Sequence, residues 1–175
     1  MKNITYFDVE IDKLTNSIEN RIDGIVYDTA VIQLSATDKS QIKKADWGFD
    51  WHMELSTKNR KVYKLAICAD LSIIQGLLSM EVKADHIYLH LIESASFNRG
   101  TNKMYLGVPG NLVAFACKTS FACGFDGYVA FDAKTALIKH YQETLHATHF
   151  RGTKMFIETP AALRLIKQYF NDINN

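Results

Sequence analysis

The feature that most constrains the fold is a helix with a clear beginning and end in the second half of the chain. Pro109 suits a first helical turn, where a missing N–H costs nothing, and Leu112 and Ala116 recur on one face. Gly124 suits the position just after the last turn, where a left-handed residue commonly ends a helix. The sequence therefore predicts a helix over residues 109–123.

Strand patterns lie on both sides of this helix. A strand at 86–92 precedes it across a long loop, a short strand at 127–131 follows it, and a second amphipathic helix at 135–145 comes next. This succession predicts a β–α–β–α unit with its loop at the carboxyl end of the first strand. In open α/β sheets that edge is where ligands bind.

The remaining strands predict a mixed sheet rather than a fully parallel one. Strands are predicted at 62–68, 73–80 and 86–92 before the helix, and at 148–150 and 154–158 after it. The first three form an antiparallel meander, so the predicted fold class is α/β or mixed α+β. Thr159 and Pro160 open a C-terminal helix whose apolar stripe is Leu163, Ile166 and Phe170.

The first sixty residues give weaker patterns. We expect a strand at 3–9, a helix at 12–20, a strand at 29–35 and a helix that follows Thr37-Asp38 and ends near Asp46. No linker or repeat divides the chain, which predicts one domain over residues 1–175. Its parts are a divergent N-terminal part (1–60), a core (61–158) and a C-terminal helix (159–175).

Composition excludes several classes of protein. Twenty Lys and Arg against nineteen Asp and Glu give a net charge of +1, which makes nucleic acid an unlikely partner. The start of the chain lacks the apolar region of a signal peptide, and no apolar run approaches the ~20 residues that span a bilayer. The three cysteines and six histidines show no metal-ligand spacing. We therefore expect a cytoplasmic protein with no membrane partner and no metal.

The loop before the central helix has the features of an anion site. Residues 105–112 read YLGVPGNL, in which glycines allow close approach of the backbone and the helix start supplies free N–H groups. Phosphate or diphosphate suits such a site, but a turn that merely starts a helix is an equally good interpretation. The GxxxxGK[ST] and GxGxxG motifs are missing, which disfavours nucleotide hydrolysis and dinucleotide redox chemistry.

The longer run HIYLHLIES, GVPGNL, LVAFACKTSFACG, GYVAF and TALIKHYQETLHATHF resembles the core of the GCN5-related N-acetyltransferases. The resemblance covers roughly residues 61–158. It implies a three-layer fold with a mostly antiparallel mixed sheet and a βαβα core that binds acyl-CoA. It also implies that acetyl-CoA is the cosubstrate.

The resemblance implies roles for particular residues. Gly107 matches the first glycine of the family's diphosphate loop, Q/R-x-x-G-x-G/A, and Val108 keeps an N–H in that loop. Gly110, Asn111 and Leu112 match the helix-opening positions whose amides meet the diphosphate. Further along the chain, Tyr141 matches the tyrosine that protonates the departing CoA thiolate.

Two positions depart from the family's loop pattern. Met104 stands where the pattern has Gln or Arg, which removes a polar contact. Pro109 stands where it has Gly or Ala, which removes an N–H donor. Both departures favour a non-catalytic domain of the same fold over an active enzyme.

An attacking amine must lose its proton, since a free lysine-type amine has a pKa of about 10.4. Glu93 is the first candidate base, because it ends the strand that enters the loop and continues the apolar alternation of that strand. Asp126, Asp132 and His90 are weaker candidates. A backbone N–H near Ile92 would meet the oxyanion.

The leading hypothesis is an acetyl-CoA-dependent N-acetyltransferase that acts on a primary amine of a small molecule, a peptide or a protein. The alternative is a non-catalytic domain of the same fold. It would be either a CoA-binding sensor or an interaction module that uses Trp47, Phe49 and Trp51. A pair of tryptophans so close together is, however, more often part of the core. A homodimer remains open. The leading hypothesis requires a loop and strand edge that are not filled by the protein itself.

Overall fold

The computed structural model describes residues 5–15 and 17–170. Its strands and α-helices in chain order are β1 (Ile18–Asn20), β2 (Val26–Tyr27), β3 (Thr29–Leu34), α1 (Trp51–Ser56), β4 (Lys61–Ile67), β5 (Gly76–Val82), β6 (Ile87–Ser94), β7 (Tyr105–Leu106), α2 (Val108–Ala122), β8 (Val129–Asp132), α3 (Ile138–Thr144), β9 (Thr148–Arg151), β10 (Lys154–Ile157) and α4 (Thr159–Tyr169).

Seven of the strands form one mixed sheet in the order β3-β4-β5-β6-β8-β10-β9. Neighbouring strands are antiparallel except β6 and β8, which are parallel. The parallel pair is joined through α2, as the predicted β–α–β–α unit requires. The mostly antiparallel mixed sheet and the α+β class are therefore confirmed, and β3 extends the sheet into the first sixty residues.

Apolar side chains on the two faces of the sheet form two separate cores. Leu78 and Ile92 lie in the larger core with α2, Tyr141 of α3 and the buried side of α4. Their neighbours Leu77 and Leu91 lie in a smaller core around Trp51 of α1. Adjacent strand residues point to opposite faces, so this division is what a sheet covered on both sides produces. Trp51 is the core plug that the sequence favours.

The C-terminal helix begins where predicted, and Ile166 of the predicted stripe is buried, but the rest of the buried face is shifted. Leu163 is 53% exposed, whereas Leu165 and Tyr169 are completely or almost completely buried. Tyr169 packs against Gly110 in the first turn of α2 and so joins the end of α4 to the start of α2.

The predicted helix over residues 12–20 is wrong. Ser17 has a φ of +54°, which no α-helix contains, and residues 18–20 form β1 instead. β1 lies between β2 and β7 in a small three-stranded sheet, so Glu19 pairs with both Val26 and Leu106. Glu19 pairs with a residue eighty-seven positions later in the sequence, and this long-range pairing overrides the local helical pattern.

The other differences concern short elements. The strand expected at 3–9 lies partly outside the described residues, and its remainder is extended chain with one bridge, between Phe7 and Ala133. The helix expected near 38–46 is two 3₁₀ turns, Ala36–Gln41 and Lys44–Asp46. The sequence analysis missed α1, although Asp50 caps it by accepting a hydrogen bond from the Met53 amide at 3.0 Å.

Within the described part of the chain, no helix combines the length and the apolar character needed to cross a membrane.

Candidate functional site

The parallel strands β6 and β8 separate soon after they meet. They pair only at Ile87 with Val129 and at Tyr88 with Ala130, although β6 continues to Ser94 and β8 continues to Asp132. Beyond that point β8 is bonded to β10 on one edge and has lost β6 from the other. We call the resulting gap the groove.

The groove leads from the divergence of the strands to the first turn of α2. Gly107 precedes that helix with a φ of +95°, a conformation that favours glycine. Pro109 in the first turn has no N–H, and the amide of Asn111 donates to the carbonyl oxygen of Gly107 at 3.0 Å within the helix. The first turn therefore offers Val108 and Gly110 as amides without a helical acceptor.

The predicted diphosphate-binding residues lie together, but the side chains of Val108, Asn111 and Leu112 are buried. The amide of Asn111 is taken by the helix, and Leu112 is fully buried in the larger core. The Asn111 side chain is also fully buried. Its Nδ2 donates to Thr29 Oγ1 at 3.3 Å, and its Oδ1 accepts no hydrogen bond from the described residues. The expectation that Asn111 offers its amide to a diphosphate is therefore not met.

Residues 5–13, which we call the N-terminal segment, fill the groove. The amide of Phe7 donates to Asp132 O at 2.6 Å, and the amide of Lys134 donates to Phe7 O at 2.9 Å. Because β10 occupies one edge of β8, this bridge lies on the edge that β6 has left. The N-terminal segment thus runs parallel to β8 in the place of a strand.

The side chain of Phe7 closes the inner end of the groove. It is 2% exposed, and its ring centroid lies 5.0 Å from that of Phe131 and 5.3 Å from that of Tyr141. Ile11, four residues later, is 4% exposed. These two apolar contacts account for most of the burial of the segment.

Tyr141 lies at the inner end of the groove, as the resemblance implies for a tyrosine that meets the thiol. Its hydroxyl group donates to Val9 O at 2.6 Å, so the N-terminal segment occupies the acceptor position. Burial, and then the nearby charges of Asp8 and Glu10, raises the pKa of Tyr141 far above its ordinary value. The phenol is therefore a neutral hydrogen-bond donor at physiological pH.

At the outer end of the groove an acidic side chain caps the α2 helix. Asp12 Oδ1 accepts from the amide of Gly107 at 3.1 Å, and Lys103 Nζ lies 3.2 Å from Asp12 Oδ2. A carboxylate at a helix N-terminus beside a lysine is the arrangement that a bound anion would adopt. The protein supplies its own anion here.

The glycines of the loop make room for the protein itself. A Cβ atom on Gly107 would lie 2.7 Å from Thr15 Cγ2 and 3.1 Å from Ser17 O. A Cβ atom on Gly110 would lie 1.8 Å from the hydroxyl oxygen of Tyr169. Close approach to the backbone therefore explains both glycines, but the approaching groups belong to the same chain, so the unfilled loop and strand edge that the acetyltransferase hypothesis requires are not present in this conformation.

Glu93 is 5% exposed and holds the loop that precedes α1. Its carboxylate accepts hydrogen bonds from the amides of Gly48 and Phe49 and, at 2.6 Å, from the indole Nε1 of Trp51. Arg99 lies 3.8 Å away. To accept a proton from a substrate amine, the Glu93 carboxylate would have to give up one of these hydrogen bonds. In this conformation Glu93 therefore anchors the loop before α1.

The weaker candidate bases are dispersed. Asp132 is 9% exposed at the divergence of the strands, where it accepts hydrogen bonds from Tyr88 and Thr153. His90 bonds Glu81 on the neighbouring strand at 2.9 Å. Asp126 lies at the far end of α2, so it belongs to a different region.

An open cleft of about 360 Å³ remains beside the N-terminal segment. Asp8, Val9 and Glu10 line one side of it, and Ile92 and Glu93 line the other. The carboxyl end of β6, where the oxyanion was expected, therefore faces this cleft. A larger cavity of about 600 Å³ lies at the opposite end of β6 and β8; Asp126, one of the weaker candidate bases, lines it, but Tyr141, Glu93 and the predicted diphosphate-binding residues do not.

The sequence did not point to Phe7, Val9 and Asp12 as occupants of the groove, nor to Tyr169 of α4 as the residue that covers Gly110. The sequence predicts a strand at 3–9, but nothing in its pattern indicates which sheet edge that strand would join. Among the described residues, no group of three or more His, Cys, Asp or Glu side chains is arranged to hold a metal ion.

Solved structures resemble this chain over most of its length. AtaTR bound with AcCoA has a TM-score of 0.51 and 15% identity, and the match covers 79% of this chain and 98% of AtaTR. The ribosomal-protein-S18-alanine N-acetyltransferase from Escherichia coli has a TM-score of 0.50 and 14% identity, with 74% and 90% covered. A chain of the KacTA–DNA complex has a TM-score of 0.50 and 11% identity, with 80% and 99% covered.

No family model matches the chain, and no curated protein matches it by sequence. The structural likenesses, together with the strand order and the divergence of β6 from β8, establish the fold. This chain has the GCN5-related N-acetyltransferase (GNAT) fold, as the sequence predicts.

Proposed function

We propose that this chain is an acetyl-CoA-dependent N-acetyltransferase, acting on a primary amine of a small molecule, a peptide or a protein, and that the described conformation is its closed state. The observation that carries the proposal is the nature of the groove's occupant. An extended chain of amides lies in the groove, with the Tyr141 hydroxyl at its inner end and the Asp12 carboxylate at the α2 helix. The pantetheine diphosphate of acyl-CoA has the same properties: extended, rich in amides and anionic at one end.

The dimensions and charges of the groove support this comparison. Phe7 and Asp12 are five residues apart, which in extended chain is about 17 Å at 3.3–3.4 Å per residue. The anion lies where the helix dipole and Lys103 favour negative charge. Removal of the N-terminal segment would free the Gly107 amide, the Lys103 ammonium group and the Tyr141 hydroxyl together.

The chemical roles then follow from position. The amine nitrogen attacks the thioester carbon, the carbon–sulfur bond breaks, and Tyr141 donates its proton to the departing thiolate. The proton that the amine loses passes through water or a carboxylate and replaces the one that Tyr141 gave up. Because Tyr141 is held neutral by burial, it is suited to be an acid rather than a base. Glu93 would position the 48–51 loop beside the cleft.

A second candidate function is a non-catalytic GNAT-fold module in which the N-terminal segment replaces acyl-CoA permanently. The packing of Tyr169 on Gly110 and of Thr15 on Gly107 favours it, because these contacts fill the space that glycines would leave for a ligand. Pro109 favours it too, since the loop has lost one donor.

Acetyl-CoA binding by full-length variants separates the two candidates. Phe7→Ala combined with Ile11→Ala removes the segment's buried side chains and leaves α2, β6 and Tyr141 unchanged. We expect isothermal titration to show acetyl-CoA binding at least tenfold tighter than in the wild type, with slow thiol release over a panel of amines. Tyr6→Ala is the matched control, since Tyr6 is 44% exposed on the same segment. A double variant that is folded but binds no acetyl-CoA would contradict the acetyltransferase.

Tyr141→Phe tests the assigned acid in a way that a structural role would not mimic. Loss of the hydroxyl group removes the hydrogen bond to Val9 O, so binding of the N-terminal segment in the groove should weaken by about 1 kcal/mol. A competing ligand such as acetyl-CoA should then bind roughly fivefold more tightly. The substitution also removes the proton donor, which typically lowers turnover by about 10²–10⁴. Acetyl-CoA affinity should therefore rise while kcat falls.

A further inference from the structure

The groove presents a set of polar groups that require a partner. Asp132 O and Lys134 N, which lie on the free edge of β8, are bonded by Phe7, and the fully buried Tyr141 hydroxyl is bonded by Val9. Lys134 is exposed, so water can satisfy its amide, whereas the hydroxyl of the fully buried Tyr141 and the carbonyl of Asp132, which is 9% exposed, are costly to leave unpaired. The groove is therefore built to be occupied by a chain that offers main-chain hydrogen bonds.

The N-terminal segment shows the alternation expected of a ligand strand. Phe7 and Ile11 are buried, whereas Tyr6, Asp8 and Glu10 are exposed. Main-chain bonds to a sheet edge together with pockets for selected side chains are the features of peptide binding by strand addition. The recognised pattern is an aromatic residue, an aliphatic residue four positions later and an acidic residue directly after it.

The segment is fixed at separate points rather than by a continuous ladder. Its strand pairing is the single bridge at Phe7. Further along, the Ile11 amide donates to His140 Nε2 at 2.9 Å, Asp12 caps Gly107, and Lys13 O accepts from the Tyr169 hydroxyl at 2.8 Å. Each of these bonds can open without disturbing the seven-stranded sheet.

We infer that the groove between β6 and β8 is a strand-binding site for an extended peptide with this pattern, which residues 5–13 fill in cis and which competes with any acyl-CoA. The site is occupied in cis because the attached segment acts at an effective concentration in the millimolar range. A substitution that weakens binding of the attached N-terminal segment therefore lets a free peptide bind in its place. The strand-binding site itself does not depend on the proposed acyl transfer, and only the competition does.

The test uses a fluorescein-labelled peptide with the sequence of residues 5–13, TYFDVEIDK, and full-length protein. In fluorescence anisotropy, we expect the peptide to bind the Phe7→Ala, Ile11→Ala double variant at least tenfold more tightly than the wild type. A peptide with alanine in place of its phenylalanine should bind weakly. The Tyr6→Ala variant should behave as the wild type.

A milder variant guards against loss of folding. Asp12→Asn keeps both buried apolar side chains and removes only the charge at the α2 helix and its ion pair with Lys103. It should admit the peptide more weakly than the double variant and more strongly than the wild type. Circular dichroism and the midpoint of thermal unfolding establish that each variant is folded.

The outcomes distinguish this inference from the proposed function. Peptide binding that acetyl-CoA reverses supports both, and peptide binding that acetyl-CoA leaves unchanged supports the strand site and contradicts the acetyltransferase. Tighter acetyl-CoA binding by the folded variants than by the wild type, with no peptide binding, overturns the strand site alone. A dimer of the wild type that exchanges its N-terminal segments, seen by size exclusion, supports the strand site with a second copy as its occupant.

Discussion

The hydroxyl group of Tyr169 lies directly against the backbone of Gly110, so that a Cβ atom at residue 110 would be 1.8 Å from it. The ring itself is almost as close, since the carbon that carries the hydroxyl group would be 2.4 Å from the same Cβ. This contact joins the start of α2 to the end of α4 and leaves no space between them.

Gly110→Ala should therefore destabilise the protein, although alanine usually stabilises a helix. Overpacking of a buried contact typically costs about 1–3 kcal/mol. Urea unfolding of the single variant and of Gly110→Ala combined with Tyr169→Leu measures the coupling between the two positions. The alanine should cost much less when Tyr169 has been removed. An equal cost in both backgrounds would show that the two residues do not meet.

Glu93→Gln should reduce stability because the side-chain amide turns one acceptor into a donor. Three donors converge on the carboxylate, from Gly48, Phe49 and Trp51. A buried donor left without a partner costs about 1–3 kcal/mol. The free energy of unfolding from urea titration measures the loss, and Glu143→Gln on the exposed side of α3 is the matched control. A variant as stable as the control would remove the anchoring role of Glu93.

The three thiols should differ in reactivity. Cys68 and Cys123 are exposed, whereas Cys117 lies fully buried in α2, and burial raises its pKa to about 12. At pH 8 its thiolate is therefore scarce as well as inaccessible. We expect two equivalents of Ellman's reagent to react quickly with the native protein and the third only in denaturant. Three equally fast equivalents in buffer would contradict the burial of α2.

His90 should make stability fall as the solution is acidified. Burial, opposed by the hydrogen bond from His90 to Glu81 and assisted by the charge of Arg60, lowers the pKa of His90 below its ordinary value. The folded state then favours the neutral ring, so its contribution is complete above about pH 6.5 and is lost as the pH falls through the folded pKa.

Urea unfolding at several pH values between 7 and 5 tests this dependence. His90→Asn should flatten it by about 1.4 kcal/mol for each unit by which the pKa is lowered. His149→Gln, in the exposed edge strand β9, is the control. A wild-type stability that rises towards pH 5 would show that the ion pair with Glu81 outweighs burial.

The order of elements after residue 61 could be predicted from the sequence because its signals are local. Pro109 and Gly124 mark the ends of α2, and alternation marks the strands, so these boundaries agree with the structure within a few residues. The GNAT fold follows from that order. The predicted site residues Gly107, Gly110 and Tyr141 also lie along one groove, because the strand–helix–strand topology places them there.

The occupant of the groove could not be predicted, because its contacts are separated by most of the chain. Val9 and Tyr141 are 132 positions apart, and Lys13 and Tyr169 are 156 apart. A segment such as 12–20 has no local signal for a partner so distant, and its composition was compatible with a helix. Gly107 and Gly110 indicate that another group comes close to the backbone, but a glycine does not identify that group.

The same separations have a consequence for synthesis of the protein. Tyr141 and Tyr169 leave the ribosome well over a hundred residues after residues 5–13, a delay of roughly 7–30 seconds at about 5–20 residues per second. Loop closure over such a distance also delays docking until its partners are in place. The nascent chain therefore passes through an interval in which Phe7 and Ile11 have emerged without the groove that buries them, and these two apolar side chains stay open to contact with other molecules until β8, α3 and α4 have followed.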